Sequence, residues 1–148
     1  IGYLGTGDRI FDFNYDALQT GRRTVSNMNA DGVLQDRSAK LFRGTIDFQK
    51  GAAGSKGDEK EDVLLLGEDV VNRTIPLILC AEEDVEGNHG ASIGQLDEDI
   101  LFYMNSRGLS RAEAELLITH SKLEALCAKA NDPGLTDRVH RYLEENAQ

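Results

Sequence analysis

Tryptophan is absent from this 148-residue sequence, and proline, methionine and cysteine occur only twice each. The two cysteines, Cys80 and Cys127, lie far apart, which matches neither a disulfide framework nor the short spacing of a zinc site. Both stand among apolar residues, so we expect both to be reduced and buried. Aromatic residues make up only 6% of the chain. This scarcity disfavours a carbohydrate-acting β-helix, whose sites expose several aromatic side chains along one face.

Basic residues are few, since 16 Lys and Arg stand against 26 Asp and Glu, for a net charge of −10. Nucleic-acid backbones and anionic membranes attract clustered Lys and Arg, so we expect neither as a partner. No stretch approaches the roughly 20 apolar residues of a membrane-spanning helix. The first residues lack the basic start and apolar core of a signal peptide. Because we expect both cysteines to be reduced, we expect a cytoplasmic location.

Before residue 97 the pattern favours short strands separated by glycine-containing turns. Residues 10–15 and 41–48 alternate apolar and polar side chains, whereas residues 63–66 and 75–80 are continuous apolar runs. Such strands are typical of a sandwich, a barrel or a parallel β-helix, and periodicity does not choose among these folds. Residues 50–62 contain glycine and charge without an apolar anchor, and we predict an exposed, mobile loop there.

From residue 97 onward the pattern becomes helical. Asp97 precedes acidic residues and an apolar stripe, which predicts a capped first helix. Ser110 and Glu113 have the spacing of a capping box at the start of a second helix. Residues 131–133 contain proline and predict a break before a third helix.

One stretch resembles a known family in the order and spacing of its residues. The residues are Val85-Glu86-Gly87-Asn88-His89-Gly90-Ala91-Ser92-Ile93-Gly94, then Leu96-Asp97-Glu98, Leu101-Phe102-Tyr103 and Ser106-Arg107-Gly108. Upstream, residues 42–46 look like the family's strand before a glycine-rich loop. On these motifs the chain is identified as a member of the SufB/SufD family of iron–sulfur cluster assembly proteins. It resembles the C-terminal portion of a SufD-like member.

The resemblance implies a mainly β fold with C-terminal helices. Residues 1–96 would form a right-handed parallel β-helix-like core, the C-terminal part of a longer family core. Residues 97–148 would form a small helical subdomain that docks on an ATPase. Because family chains are much longer and this sequence does not begin with Met, we expect a substantial N-terminal part to be missing from it.

The resemblance also implies a function without catalysis by this chain. It would be a scaffold subunit that binds a SufC-like ABC-type ATPase and either a SufB/SufD-type chain or a second copy of itself. We expect no cofactor on this chain alone, and an iron–sulfur cluster only at the level of the complex. The residues expected to bind partners are Asp97, Leu101, Phe102, Tyr103 and Arg107.

His89 is the leading candidate for chemistry, because a neutral imidazole is a good ligand for iron or zinc. We expect it to act as a metal ligand shared across a subunit interface. The alternative is that His89 only forms hydrogen bonds within its own turn. Relatives often carry cysteine at the position of Gly87, and SufB-like members carry glutamate at that of Gly90, so the expected thiol is absent here. We predict that Gly87, Gly90 and Gly94 form tight corners.

A second hypothesis comes from a different functional class. A metal-dependent enzyme on a β scaffold would combine His89 with Glu83, Asp84 or Glu86. The other two histidines, His120 and His140, fall on the predicted helices, which argues against this hypothesis.

Overall fold

The computed structural model describes residues 1–130 and 132–146, which form seven strands and three helices. The strands are β1 (Gly2–Gly5), β2 (Ile10–Gln19), β3 (Val25–Gln35), β4 (Ala39–Phe48), β5 (Ser55–Leu66), β6 (Val71–Cys80) and β7 (Val85–Gln95). The helices are α1 (Glu98–Ser106), α2 (Arg111–Lys129) and α3 (Pro133–Asn146). Asn131, in the predicted helix break, and the last two residues of the predicted helical subdomain lie outside the described residues.

The strands alternate between two parallel sheets. One sheet has the order β1-β3-β5-β7 and the other the order β2-β4-β6, and every neighbouring pair is parallel. Asp31 lies beside Asp62, and Asp62 beside Ser92, so the chain returns to the same position about every 30 residues. This arrangement is a parallel β-solenoid of about three turns followed by helices. It confirms the predicted fold class and excludes the sandwich and the barrel.

The interior of the solenoid lies between the two sheets and is mostly apolar. Along β4 every second side chain is buried, and Phe42, Ile46 and Phe48 contribute the largest apolar groups. Ala52 packs with Ile46 and Phe48, and a second buried cluster contains Tyr3, Leu34 and Val63. Burying a side chain of the size of Phe or Ile contributes about 1.5–3 kcal/mol each. The apolar interior therefore holds the two sheets together.

The predicted loop at residues 50–62 is wrong, because β5 begins at Ser55 and runs through most of it. Ser55, Gly57, Glu59 and Glu61 are buried alternately with exposed residues. The first part of the strand was missed because its inward-facing residues are small or acidic, a composition that usually indicates solvent exposure. Here Met28 and Ala30 of β3 are the register partners of Glu59 and Glu61.

The prediction of tight corners at Gly87, Gly90 and Gly94 is also wrong. All three lie inside β7, and none belongs to the glycines with positive φ. A Cβ atom on Gly87 would come within 2.8 Å of Ile78 Cγ2, whereas one on Gly90 or Gly94 would meet nothing within 4 Å. Only Gly87 is therefore required for close packing.

The helices begin where local sequence signals predicted. Asp97 Oδ1 accepts a hydrogen bond from the Asp99 backbone N–H at 2.8 Å, which caps α1. The capping box of Ser110 and Glu113 is complete at the start of α2. None of the helices in the described part of the chain has both the length and the apolar character needed to cross a bilayer.

Helix α2 is tied to the outer face of the first sheet by two ion pairs. Lys122 Nζ lies 2.8 Å from Asp62 Oδ1 on β5, and Lys129 Nζ lies 3.1 Å from Asp31 Oδ2 on β3. Asp31 and Asp62 are neighbours in register, so the helix crosses adjacent strands. The first sheet is thus covered by α2 on its outer face.

Candidate functional site

His89 lies in the middle of β7, on the face of the strand that continues the solenoid interior. Its register partner on β5 is Glu59, whose side chain points inward. The opposite sheet ends with β6, so no further strand of the described chain covers β7, and His89 is exposed. His89 therefore occupies the open end of the solenoid, defined here as the inward face of β7 and the end of β6 beside it. It lies in a strand, not in the turn that the sequence suggested.

Glu59 lies directly beneath His89 and is nearly sealed from solvent, with 1% of its surface exposed. Its Oε2 atom has no hydrogen-bond partner among the described residues. A side chain on Gly44, in the opposite sheet, would overlap the carboxylate, so this glycine provides the space that Glu59 occupies. Burial raises the pKa of Glu59 above its ordinary value, and the nearby His89 opposes this rise.

A second polar group lies deeper in the interior. Lys40 Nζ forms an ion pair with Glu61 Oε1, and both side chains are shielded from water. The Thr74 hydroxyl donates to Glu61 Oε2 at 2.5 Å and lies 3.2 Å from Lys40 Nζ. Burial lowers the pKa of Lys40 to about 8, because a charged ammonium group is disfavoured away from water. Two acidic residues of β5, Glu59 and Glu61, thus point into the core beneath the open end.

The sequence did not identify the buried charged residues as site residues. These are Lys40, Glu59 and Glu61. Their charge suggested solvent exposure, since Lys and Glu are almost never fully buried without a partner. One pattern could have identified the two glutamates, because side chains alternate between the two faces of a strand. Glu59 and Glu61 therefore share a face of β5 with the apolar Val63. That signal is readable only once the segment is known to be a strand.

Burial was predicted for both cysteines and is found for one of them. Cys127 is buried, as expected, but Cys80 is exposed, so the prediction of its burial is wrong. Cys80 ends β6 beside Phe48, at an inward-facing position of the last strand of its sheet. It is exposed because the described chain has no later strand to cover it. The apolar run before it predicted the strand correctly and could not show that the strand lies at an edge.

The acidic residues around His89 in sequence do not gather around its side chain. Glu86 pairs with Lys56 at 2.7 Å on the solvent face, and Glu82 accepts a hydrogen bond from the Gly51 backbone N–H at 3.1 Å. Among residues 1–130 and 132–146, no three His, Cys, Asp or Glu side chains form a group that could hold a metal ion. The metal-dependent enzyme therefore has no assembled ligand set in the described chain.

The residues predicted to bind partners lie on and beside α1. Phe102 and Tyr103 are exposed over 75% and 58% of their surfaces, whereas Leu101 is only 2% exposed and packs inside the protein. The Arg107 guanidinium lies 5.2 Å from the centre of the Tyr103 ring, close enough for a cation–π contact. Asp97 serves as the helix cap. The exposed part of the predicted set is therefore an aromatic pair with one adjoining cation.

The sequence of this chain is similar to those of known iron–sulfur cluster assembly proteins. A family model described as "SUF system FeS cluster assembly, SufBD core domain" matches residues 1–122. The chain is 29% identical to an iron–sulfur cluster assembly protein SufD of Bacillus subtilis over 145 residues, covering 98% of this chain and 33% of that protein. It is 28% identical to a SufD of Escherichia coli over 107 residues, covering 72% of this chain and 25% of that protein.

A further relative is an iron–sulfur cluster assembly SufBD family protein of Mycobacterium leprae. It is 30% identical over 128 residues, which cover 85% of this chain and 14% of that protein. The chain thus spans a third or less of the length of these relatives.

Proposed function

Because this chain belongs to the SufBD core-domain family of the SUF system for iron–sulfur cluster assembly, we propose that it is a non-catalytic scaffold subunit of a cluster assembly complex. It would bind a SufC-like ABC-type ATPase and a SufB/SufD-type chain or a second copy of itself. The observation that carries this proposal is the open end of the solenoid, where an exposed histidine lies on an uncovered final strand.

The edges of the two sheets support pairing with another chain. Strands β6 and β7 are each the last of their sheet, so the backbone groups along their outer edges have no strand partner in the described chain. On the outer face of β6, Ile75, Leu77 and Leu79 are all exposed. Uncovered edges with exposed apolar side chains are favourable sites for strand addition by a partner. A second β-solenoid of the same family would cover both edges.

The surface around α1 supports docking of the ATPase. Exposed aromatic residues and arginine are frequent anchors in protein interfaces. Two exposed aromatic residues, Phe102 and Tyr103, lie within two helical turns of Arg107. Leu101 and Asp97 would act indirectly, because the first holds the helix on the protein and the second caps it. ATP hydrolysis in the partner would shift the paired solenoids and change the exposure of His89.

The proposed site depends on a partner for its remaining ligands. Iron–sulfur clusters favour cysteine thiolates, and the inward face of β7 carries glycine at position 87, two residues before His89. Cys80 is exposed at the end of β6 but no third ligand accompanies it in the described chain. A cluster would therefore be shared, with thiolates or carboxylates from the facing subunit and His89 from this one.

Affinity measurements between the full-length protein and a SufC-like ATPase from the same organism test this proposal. We expect a stable complex that contains the ATPase together with a SufB/SufD-type chain. Failure of the correctly folded full-length protein to bind either protein would contradict a scaffold role. Asp16→Ala changes an exposed residue on β2, away from both proposed surfaces, and should leave the affinity for either partner unchanged.

A further inference from the structure

We propose that Glu59 and His89 together bind a single divalent transition-metal ion, with Glu59 as the second protein ligand beneath the exposed histidine. This inference deepens the proposed function, because it gives the His89 metal site at the open end of the solenoid a second ligand from the same chain. It rests on the proposed role of His89, and it adds a residue that the sequence did not suggest.

The first argument is the position of the two side chains. Glu59 and His89 are direct register partners on adjacent parallel strands, and both side chains are on the inward face. Adjacent strands lie about 4.8 Å apart, so a carboxylate and an imidazole that share a face can reach a common ion with metal–ligand distances near 2.0–2.2 Å. The electrostatic coupling between the two groups agrees with this proximity.

The second argument is that Glu59 lacks a partner of its own. It is 1% exposed, and Oε2 has no hydrogen-bond donor among the described residues. A buried polar atom without a partner is costly and requires an explanation. Glu61, one inward-facing position further along β5, shows the contrast, because its carboxylate is satisfied by Lys40 and Thr74. The described interior therefore supplies a cation for Glu61 and none for Glu59.

The third argument is that the side chains around Glu59 offer no competing hydrogen-bond donor. Gly44 faces the carboxylate from the opposite sheet, and a methyl group there would overlap it. Pro76, the register partner of Gly44 on β6, has no backbone N–H, and Met28, the other neighbour of Glu59, offers no hydrogen-bond donor from its side chain. Beside His89 on the inward face of β7 stand only Gly87 and Ala91. Only small residues therefore flank His89 on the inward face of its own strand.

The chemistry of the two ligands selects the class of ion. One carboxylate and one imidazole suit Fe²⁺, Co²⁺ or Zn²⁺, whereas an iron–sulfur cluster prefers thiolate. Two protein ligands leave the other coordination positions to water or to a facing subunit. Binding of Fe²⁺ here would place a metal ion at the surface where cluster assembly is proposed.

Titration of the full-length, metal-free protein with Co²⁺ alone, followed by absorption spectroscopy, tests the site without the ATPase. We expect Glu59→Gln and His89→Gln each to weaken Co²⁺ binding by at least about tenfold. Glu86→Gln is the matched control, since it removes a carboxylate from β7 on the solvent face and should leave the affinity unchanged. Unchanged Co²⁺ affinity in Glu59→Gln would overturn the proposal.

A second variant keeps the test decisive if Glu59→Gln folds poorly. Gly44→Ala retains both ligands but displaces the carboxylate, so it should also weaken Co²⁺ binding. Glu59 would be excluded as a ligand if Glu59→Gln and Gly44→Ala both bound Co²⁺ fully while His89→Gln did not. The Co²⁺ titration contains neither the ATPase nor a second family member, so it tests only the metal site. The scaffold proposal is tested separately by the affinity measurements with the partner proteins.

Discussion

Lys40 on β4 and Glu61 on β5 form an ion pair across the interior of the solenoid, with neither side chain in contact with solvent. The pair joins strands of opposite sheets, and Thr74 on β6 completes it. We expect this ion pair to favour the observed strand register, because any other register would leave a charge buried alone. Its contribution to net stability is a separate question that substitution can answer.

Removing one member of this pair should be far more harmful than removing both. Lys40→Met leaves the Glu61 carboxylate buried without a cation, and we expect a loss of about 3–5 kcal/mol in the free energy of unfolding. The double variant Lys40→Met/Glu61→Leu should regain most of that loss, since it buries no charge. Urea denaturation of the wild type, the single variant and the double variant measures both effects. Equal losses in the single and double variants would contradict the account.

The same pair predicts a pH dependence of stability. Burial lowers the pKa of Lys40 to about 8, against 10.5 for a free lysine. Between these values the unfolded chain holds a proton that the folded chain has released, so stability rises with pH across this window and is constant below it. The rise attributable to Lys40 should reach at most about 3 kcal/mol. The measurement is the free energy of unfolding of the wild type and of Lys40→Met/Glu61→Leu at pH 7.5 and pH 10. The double variant lacks the lysine, so the difference in stability between the two proteins should increase with pH. An equal difference at both pH values would contradict the prediction.

Gly44 should be coupled energetically to Glu59. Gly44→Ala places a methyl group in the space of the carboxylate, and we expect it to cost about 1–3 kcal/mol. In a Glu59→Ala background the same substitution should cost much less, because the obstructing group is gone. A double-mutant cycle from thermal or urea unfolding gives the coupling energy. A cost of Gly44→Ala that is independent of residue 59 would show that the glycine serves another purpose.

Phe102 should contribute to binding and not to folding. Its side chain is exposed over three quarters of its surface, so Phe102→Ala should change the free energy of unfolding by no more than about 0.5 kcal/mol. The affinity for the SufC-like ATPase should fall at least tenfold, as for an aromatic anchor. Ile10→Ala, which removes an equally exposed apolar side chain from β2, is the control. A normal ATPase affinity in Phe102→Ala would remove this residue from the proposed surface.

Local signals in the sequence predicted part of the structure. The caps formed by Asp97 and Ser110 depend on residues within one helical turn, so their pattern was sufficient. Parts of β2 and β4 were recognised from alternating apolar and polar residues, and parts of β5 and β6 from continuous apolar runs. The parallel β-helix-like fold came from the family resemblance, because strand patterns alone left three β architectures open.

The first part of β5 and all of β7 were not predicted, because their inward faces carry few apolar side chains. β7 carries glycine, histidine and alanine inward, and β5 carries glycine and two glutamates. Their stability depends on long-range pairing with strands about 30 residues away in sequence, which no local window contains. His89 was identified from the family motif, but its neighbour Glu59 is adjacent only through strand register. The exposure of Cys80 likewise depends on sheet order and not on its own apolar segment.

The central claim is that His89 at the open end of the solenoid takes part in iron–sulfur cluster assembly. The most direct measurement is the amount of iron and acid-labile sulfide recovered with the complex of the full-length protein, its SufB/SufD-type partner and the ATPase. His89→Ala should lower the recovered cluster several-fold while the complex still assembles, and His140→Ala, on the far helix α3, should leave it at the wild-type amount. Wild-type amounts of cluster in the His89→Ala complex would contradict the claim.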